Sequence, residues 1–125
     1  MIDDTAPRAR YSDADLEEFR AIIEQKLERA QSDLDFYRET LRGSADNADA
    51  KVKGLDDGTS TAEMERVTAL AARQQKLIRH LENALTRIEN KIYGVCRETG
   101  ALIPKDRLRA VPHATLSIEA KQARR

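Results

Sequence analysis

From Leu16 onward, apolar residues recur along the chain at Leu16, Phe19, Ile23, Leu27, Ala30, Leu34, Tyr37 and Leu41. Steps of three and four residues put them on one stripe of a helix, the pattern of a coiled-coil seam. Ser12 stands before the stripe as a helix N-cap, with Asp13 and Asp15 in the first turn, where acids favour the positive end of the helix dipole. Arg42 and Gly43 supply a stop. A second stripe follows at Met64, Val67, Ala71, Gln74, Ile78, Leu81, Leu85, Ile88 and Ile92, widened by Leu70, Leu77 and Ala84. Ser60 or Thr61 caps it; with Ser60 as the cap, Glu63 completes a capping box. Gly94 ends it. The pattern predicts two helices of about thirty residues, each roughly 45 Å long at 1.5 Å per residue. Neighbours in sequence with one seam each, they fold back as an antiparallel hairpin, the alternative being that each stripe meets a second chain. Ala71, Gln74 and Tyr37 thin the seam toward the connection, so that end is expected to be slimmer and looser.

The connection itself, GSADNADAKVKGLDDGTS over 43–60, holds three glycines and no apolar period. Residues 1–11 read as a disordered leader. The hairpin then covers 12–93, and residues 94–125 form a small base with a short helical turn at 104–110 and a C-terminal helix capped by Thr115. The base is too small to fold alone without a metal or a neighbouring surface. It is expected to pack where the first turns of helix one and the last turns of helix two meet, through Val95, Leu102, Ile103, Leu108, Val111, Leu116 and Ile118. The fold class is therefore all-α.

Composition agrees with narrow seams. Aromatic residues make up 4% of the chain and charged residues 35%, with no Trp, which suits helices that bury one stripe and keep their flanks in water. The net charge of zero conceals a gradient: −6 over residues 1–60, +2 over 61–96 and +4 over 97–125. An acidic arm on a basic base orients a protein on a charged partner and argues against non-specific duplex binding. The basic tail KQARR has no aromatic platform for single strands. With only His80 and His113, the chain shows no Ser–His–Asp, Cys–His or metal cluster, so no enzyme is expected. A single cysteine excludes an intramolecular disulfide. The start MIDDTAPRAR lacks the apolar core of a signal peptide and no apolar run suits a membrane span, so a cytoplasmic protein without membrane partners is expected.

The stretch YGVCRETG, 93–100, has the form of a zinc knuckle, C-x-x-C-G, with Thr99 in place of the second cysteine. A hairpin arm, then YGVC-x-x-x-G, then IPKDRLRAVPHATLSIEAK, resembles the DksA/TraR family of bacterial regulators. The likeness is most specific over 81–121, where the family has a helix, a four-cysteine zinc knuckle, a helical turn and a final helix. In ungapped register its four ligand positions fall on Cys96, Thr99, Ser117 and Ala120. A structural zinc site needs four N or S ligands. One cysteine survives, and adding His113 makes only half a site, so the resemblance implies a degenerate zinc finger and no zinc cofactor. Cys96 is then expected to behave as a small buried hydrophobe, with a redox-sensing thiol whose pKa Arg97 lowers as the lesser reading.

The resemblance further implies a regulator that binds bacterial RNA polymerase directly and carries its tip into the secondary channel to modulate initiation complexes, often with guanosine tetraphosphate, as in the stringent response. Tip candidates are Asp46, Asp49, Asp56 and Asp57. The family tip motif D-x-x-D-x-A is met by Asp46-x-x-Asp49-x-Lys51, with Lys for Ala, or, counting back from Cys96, by Lys53 and Asp56. Arg73 and Leu77 match polymerase-facing positions of helix two. The family's basic nucleotide positions fall on His80, Val111 and Lys121, making His80 and Lys121 the candidates. The protein is expected to act as a monomer. The rival reading is a structural coiled-coil adaptor unrelated to transcription.

Overall fold

A computed structural model describes residues 10–46 and 57–123, with side chains described for 10–43 and 61–123. The order is α1 (Asp13–Asp46), α2 (Asp57–Glu89), α3 (Lys105–Ala110) and α4 (Ile118–Ala123). Two long helices followed by two short ones make an all-α fold of the coiled-coil hairpin kind. The chain divides into two compact units: Met1–Lys26 with His80–Arg125, and Leu27–Arg79.

Helix α1 opens as the sequence predicts. Ser12 Oγ accepts the Asp15 N–H at 3.1 Å and the Ser12 carbonyl accepts the Leu16 N–H at 2.9 Å. The helix does not stop at Gly43 but continues to Asp46. Glycine weakens a helix interior without breaking it, and no atom lies within 4 Å of where its Cβ would be. Helix α2 starts at Asp57, so Ser60 lies inside the first turn and is not its cap. It ends at Glu89, before Gly94. The Lys91 N–H donates to the Ile88 carbonyl and the Ile92 N–H to the Arg87 carbonyl, both at 3.0 Å, and Lys91 takes φ +64°. This is a Schellman termination with Lys in the left-handed position that glycine usually holds. It turns Ile92 off the seam and leaves it 52% exposed.

In the first unit Leu16, Phe19, Ile23, Leu81, Ala84, Ile88, Tyr93, Ile103 and Leu108 are all buried. Tyr11, assigned to the leader by its polarity of context, belongs to this core. Its hydroxyl donates to the Ile103 carbonyl, and its ring meets Phe19 edge-on at 5.8 Å, while Phe19 in turn packs on Tyr93 at 5.4 Å. The Tyr93 hydroxyl donates to the Pro112 carbonyl at 2.8 Å, satisfying its one polar atom. Lys91 pairs with Asp13 at 2.8 Å, Lys105 with Asp15 at 3.0 Å and Arg109 with Glu18 at 3.5 Å, so the acidic first turns of α1 meet basic groups from the end of the second hairpin segment and from the base. In the second unit Ala30, Leu34 and Val67 are buried, while Leu27, Tyr37, Leu41, Leu70, Ala71, Gln74, Leu77 and Ile78 are half-buried and Met64 and Phe36 exposed. No helix among the described residues is long and apolar enough to cross a membrane.

Candidate functional site

The knuckle is a short antiparallel turn. Val95 and Leu102 form an isolated bridge, the Cys96 N–H donates to the Ala101 carbonyl at 2.8 Å, and the Gly100 N–H donates back to the Cys96 carbonyl at 2.8 Å. The Arg97 N–H donates to the Thr115 carbonyl at 3.0 Å, tying the turn to the last segment. That segment enters α4 through Ser117, not Thr115: the Ala120 N–H donates to Ser117 Oγ at 3.1 Å and the Lys121 N–H to the Ser117 carbonyl at 2.9 Å. Of the apolar residues expected to clamp the base, Ile103 and Leu108 are buried, Val95, Leu102, Val111 and Leu116 are half-buried, and Ile118 is 49% exposed because it heads a helix whose inner face is Ala120.

Cys96 is buried, and its sulfur is held by polar groups. Ser117 N–H donates to Sγ at 3.4 Å, and Ser117 Oγ lies 3.7 Å from it. Burial pushes the thiol up. Hydrogen bonds from the Thr99 hydroxyl and from the backbone at Ser117, Thr99 and Glu98 outweigh that and bring it down to about 6. The cause is therefore local hydrogen bonding and not Arg97. One thiol, two hydroxyls and a methyl group meet where four thiolates would hold zinc. No cluster of three or more His, Cys, Asp or Glu able to hold a metal occurs among the described residues. This donor set does not fit a tetrahedral zinc ion.

Beside the knuckle lies a cavity of about 470 Å³ lined by His80, Arg87, Arg97, Arg107, His113 and Lys121, with Asn83, Val111, Ala114, Thr115 and Leu116 between them. No carboxylate is among its walls. Helix α2 presents His80, Asn83 and Arg87 at i, i+3 and i+7, one face of the helix. Arg87 donates to the His113 carbonyl at 3.4 Å, and Arg107 donates to the Leu116 carbonyl at 3.0 Å. The His80 and His113 rings stack with centroids 5.3 Å apart and an 8° interplanar angle. His113 Nδ1 is buried and finds no hydrogen-bond partner among the described residues.

Burial, then the neighbouring His80 and Arg87, holds His113 below its ordinary pKa of 6.5. A histidine with a depressed folded pKa takes up its proton more readily in the unfolded chain, so stability falls as pH drops through and below that ordinary value. Asp13 and Asp15 act lower: hydrogen bonds from Lys91 and Lys105 hold them below 3.8, and their contribution is lost as pH falls through the folded values. Melting temperature is therefore expected to decline between pH 7 and 5, before the carboxylates titrate. The His113→Gln variant should lose that decline and keep the acid limb below pH 4; an unchanged slope in thermal melts would refute the assignment.

The positions carried over for a nucleotide, His80, Val111 and Lys121, thus come together in one cavity. Sequence reasoning missed Arg87, Arg97, Arg107 and His113. Arg87 was legible as the next polar turn after His80 and Asn83, but nothing in the pattern signalled that the knuckle and α3 would bring their arginines to the same face. Arg73 is exposed and Leu77 half-buried on α2, in the other unit. Asp46 is the last residue of α1 and Asp57 the first of α2, while Asp49 and Asp56 lie outside the described residues.

Comparison with known proteins follows this geometry. The prokaryotic dksA/traR C4-type zinc finger matches residues 91–125. Over 117 residues the chain is 32% identical to the RNA polymerase-binding transcription factor DksA of Caulobacter vibrioides, covering 89% of this chain and 76% of that protein. The chain belongs to the DksA/TraR family. The DksA of Escherichia coli K12 is 28% identical over 110 residues, covering 88% of this chain and 71% of that protein. Transcription factor DksA2 from Pseudomonas aeruginosa superposes with a TM-score of 0.77 at 27% identity, covering 89% of this chain and 83% of that one. With a single cysteine, this chain departs from the four-cysteine pattern of that C4-type zinc finger.

Proposed function

We propose that this protein is a transcription regulator that binds bacterial RNA polymerase directly and inserts the end of its hairpin, the connection between Asp46 and Asp57, into the secondary channel. The likeness over 89% of the chain to a relative named as an RNA polymerase-binding transcription factor carries the reading. Two long helices joined by an Asp-bearing connection support it, since a slim arm enters a channel that admits no globular domain. Asp46, Asp49, Asp56 and Asp57 act at the tip, Arg73 and Leu77 face the polymerase, and the cavity holding His80 and Lys121 takes guanosine tetraphosphate at the foot. The base works without zinc. The protein acts as a cytoplasmic monomer with no sequence-specific DNA contact and no catalysis of its own.

Purified polymerase should retain the protein in a pull-down, and a factor known to occupy the secondary channel should displace it. Changing the four tip aspartates to Asn should leave binding within about threefold, roughly the modest share expected of a few charge pairs, while abolishing the effect on promoter-complex lifetime. Arg73→Glu with Leu77→Asp should instead weaken binding tenfold or more, about 1.4 kcal/mol. Binding that ignores the competitor would overturn the channel assignment. An obligate dimer in light scattering, with no polymerase capture, would favour the structural adaptor.

A further inference from the structure

The cavity wall combines two features that belong together chemically. Arg87, Arg97, Arg107 and Lys121 converge with no carboxylate among the described residues lining the cavity, and the stacked His80–His113 pair sits among them. Four fixed cations around a concave space of about 470 Å³ suit an oxyanion of the phosphate or sulfate class. Two imidazoles there make the positive charge adjustable. We propose that the His80–His113 pair makes this cavity a proton-linked oxyanion site, in which the anion binds together with a proton taken up by the pair. The proposal rests on the reading of the cavity as a nucleotide site and adds its regulation; it does not depend on polymerase binding.

The physical argument is a reversal of sign. In the free protein, burial, the neighbouring His80 and Arg87 on α2 disfavour protonation of His113, while Arg97 in the knuckle, Arg107 on α3 and Lys121 on α4 line the same cavity, with neutral Tyr93, hydrogen-bonded to Pro112, close by. His80 from α2 adds a second ring that repels when both carry charge. A neutral His113 ring stacked on His80 is therefore the resting arrangement, consistent with the depressed pKa of His113. A dianion among the arginines replaces net repulsion by attraction and favours the charged ring. It also offers acceptors to ring N–H groups, and His113 Nδ1 is the one buried side-chain N or O without a partner among the described residues. Because binding couplings are reciprocal, an anion that raises the histidine pKa must itself bind more tightly as pH falls. A lysine in place of His113 would hold its charge throughout this range; a histidine there makes occupancy respond to pH.

Histidine ring protons of the full-length protein, followed by NMR from pH 5 to 8 in sulfate and in chloride at matched ionic strength, test this. Sulfate stays fully ionised over that range, so its own titration does not intrude. The His113 pKa should rise by ~0.5 pH unit or more in sulfate, equivalent to about a threefold preference of the anion for the protonated form. Arg97→Gln with Lys121→Gln, both at exposed positions, should shrink the rise. His113→Gln should flatten the pH dependence of sulfate affinity. Equal pKa values in the two salts, an undiminished rise in the double variant, or a steep pH dependence surviving His113→Gln would each overturn the proposal. An unmoved His113 in a protein that still binds polymerase removes this inference alone. A moved His113 in a protein that does not bind polymerase upholds it and removes the function proposed above.

Discussion

Replacing Thr99, Ser117 and Ala120 together by Cys should convert this protein into one that holds one equivalent of zinc and melts far above its parent. Thr99 and Ser117 already touch Cys96, and Ala120 is bonded to Ser117. Ser117 Oγ lies 3.7 Å from Cys96 Sγ, close to the edge of about 3.8 Å between sulfurs of a tetrahedron with Zn–S bonds of about 2.3 Å. Thr99 reaches the same sulfur with its hydroxyl, and Ala120 sits one helical turn from Ser117, its N–H bonded to Ser117 Oγ. The hydrogen bonds at Cys96 do the positioning that metal does elsewhere in the family. Zinc bound by four thiolates contributes on the order of 10 kcal/mol to small folded units at neutral pH, far more than the hydrogen bonds it would displace. Metal analysis of the dialysed variant and melts with and without a chelator measure the effect. The parent should melt identically in both conditions. A variant that retains no zinc would mean that the four positions do not converge.

Gly94→Ala should come close to unfolding the base. Gly94 has φ +81°, a conformation that costs an L-residue about 1–2 kcal/mol. Its added Cβ would lie 2.7 Å from both Cδ2 and Cε2 of Tyr11 and 3.1 Å from Leu108 Cδ1. The Tyr11 ring has little freedom to move, since its hydroxyl bonds the Ile103 carbonyl and Phe19 packs against it edge-on. Nor can Gly94 retreat, because its own carbonyl accepts the Ile103 N–H at 2.7 Å. Overpacking adds about 1–3 kcal/mol, for a total of about 2–5 kcal/mol against a typical stability of about 5–15 kcal/mol. Gly100→Ala is the internal control. Its φ is +77°, but nothing lies within 4 Å of the new atom, so it should lose only the backbone share, about 1–2 kcal/mol. Chemical denaturation of the two variants separates the terms; equal losses would show that the Tyr11 contact carries no weight.

Hydrophobic spacing alone was enough for two long helices, because each seam repeats for many turns and no tertiary choice competes with it. It also located the start of α1, where Ser12 caps with its own side chain. Helix ends were legible only approximately. Gly43 looked like a stop yet lies within α1, and α2 ended before Gly94 because Lys91 took the left-handed position that residue type disfavours. The family likeness was legible in YGVC and the residues after it, together with the loss of zinc ligands, since chemistry at a metal site depends on residue identity. Tertiary structure decided the rest. Tyr11 looked like leader until its ring closed over Gly94, and Ser117, not Thr115, became the cap of α4 because its oxygen also faces Cys96. The cationic cavity depended most on folding. His80, Arg97, Arg107, His113 and Lys121 come from five separate segments, and no periodicity within one segment records that their side chains meet.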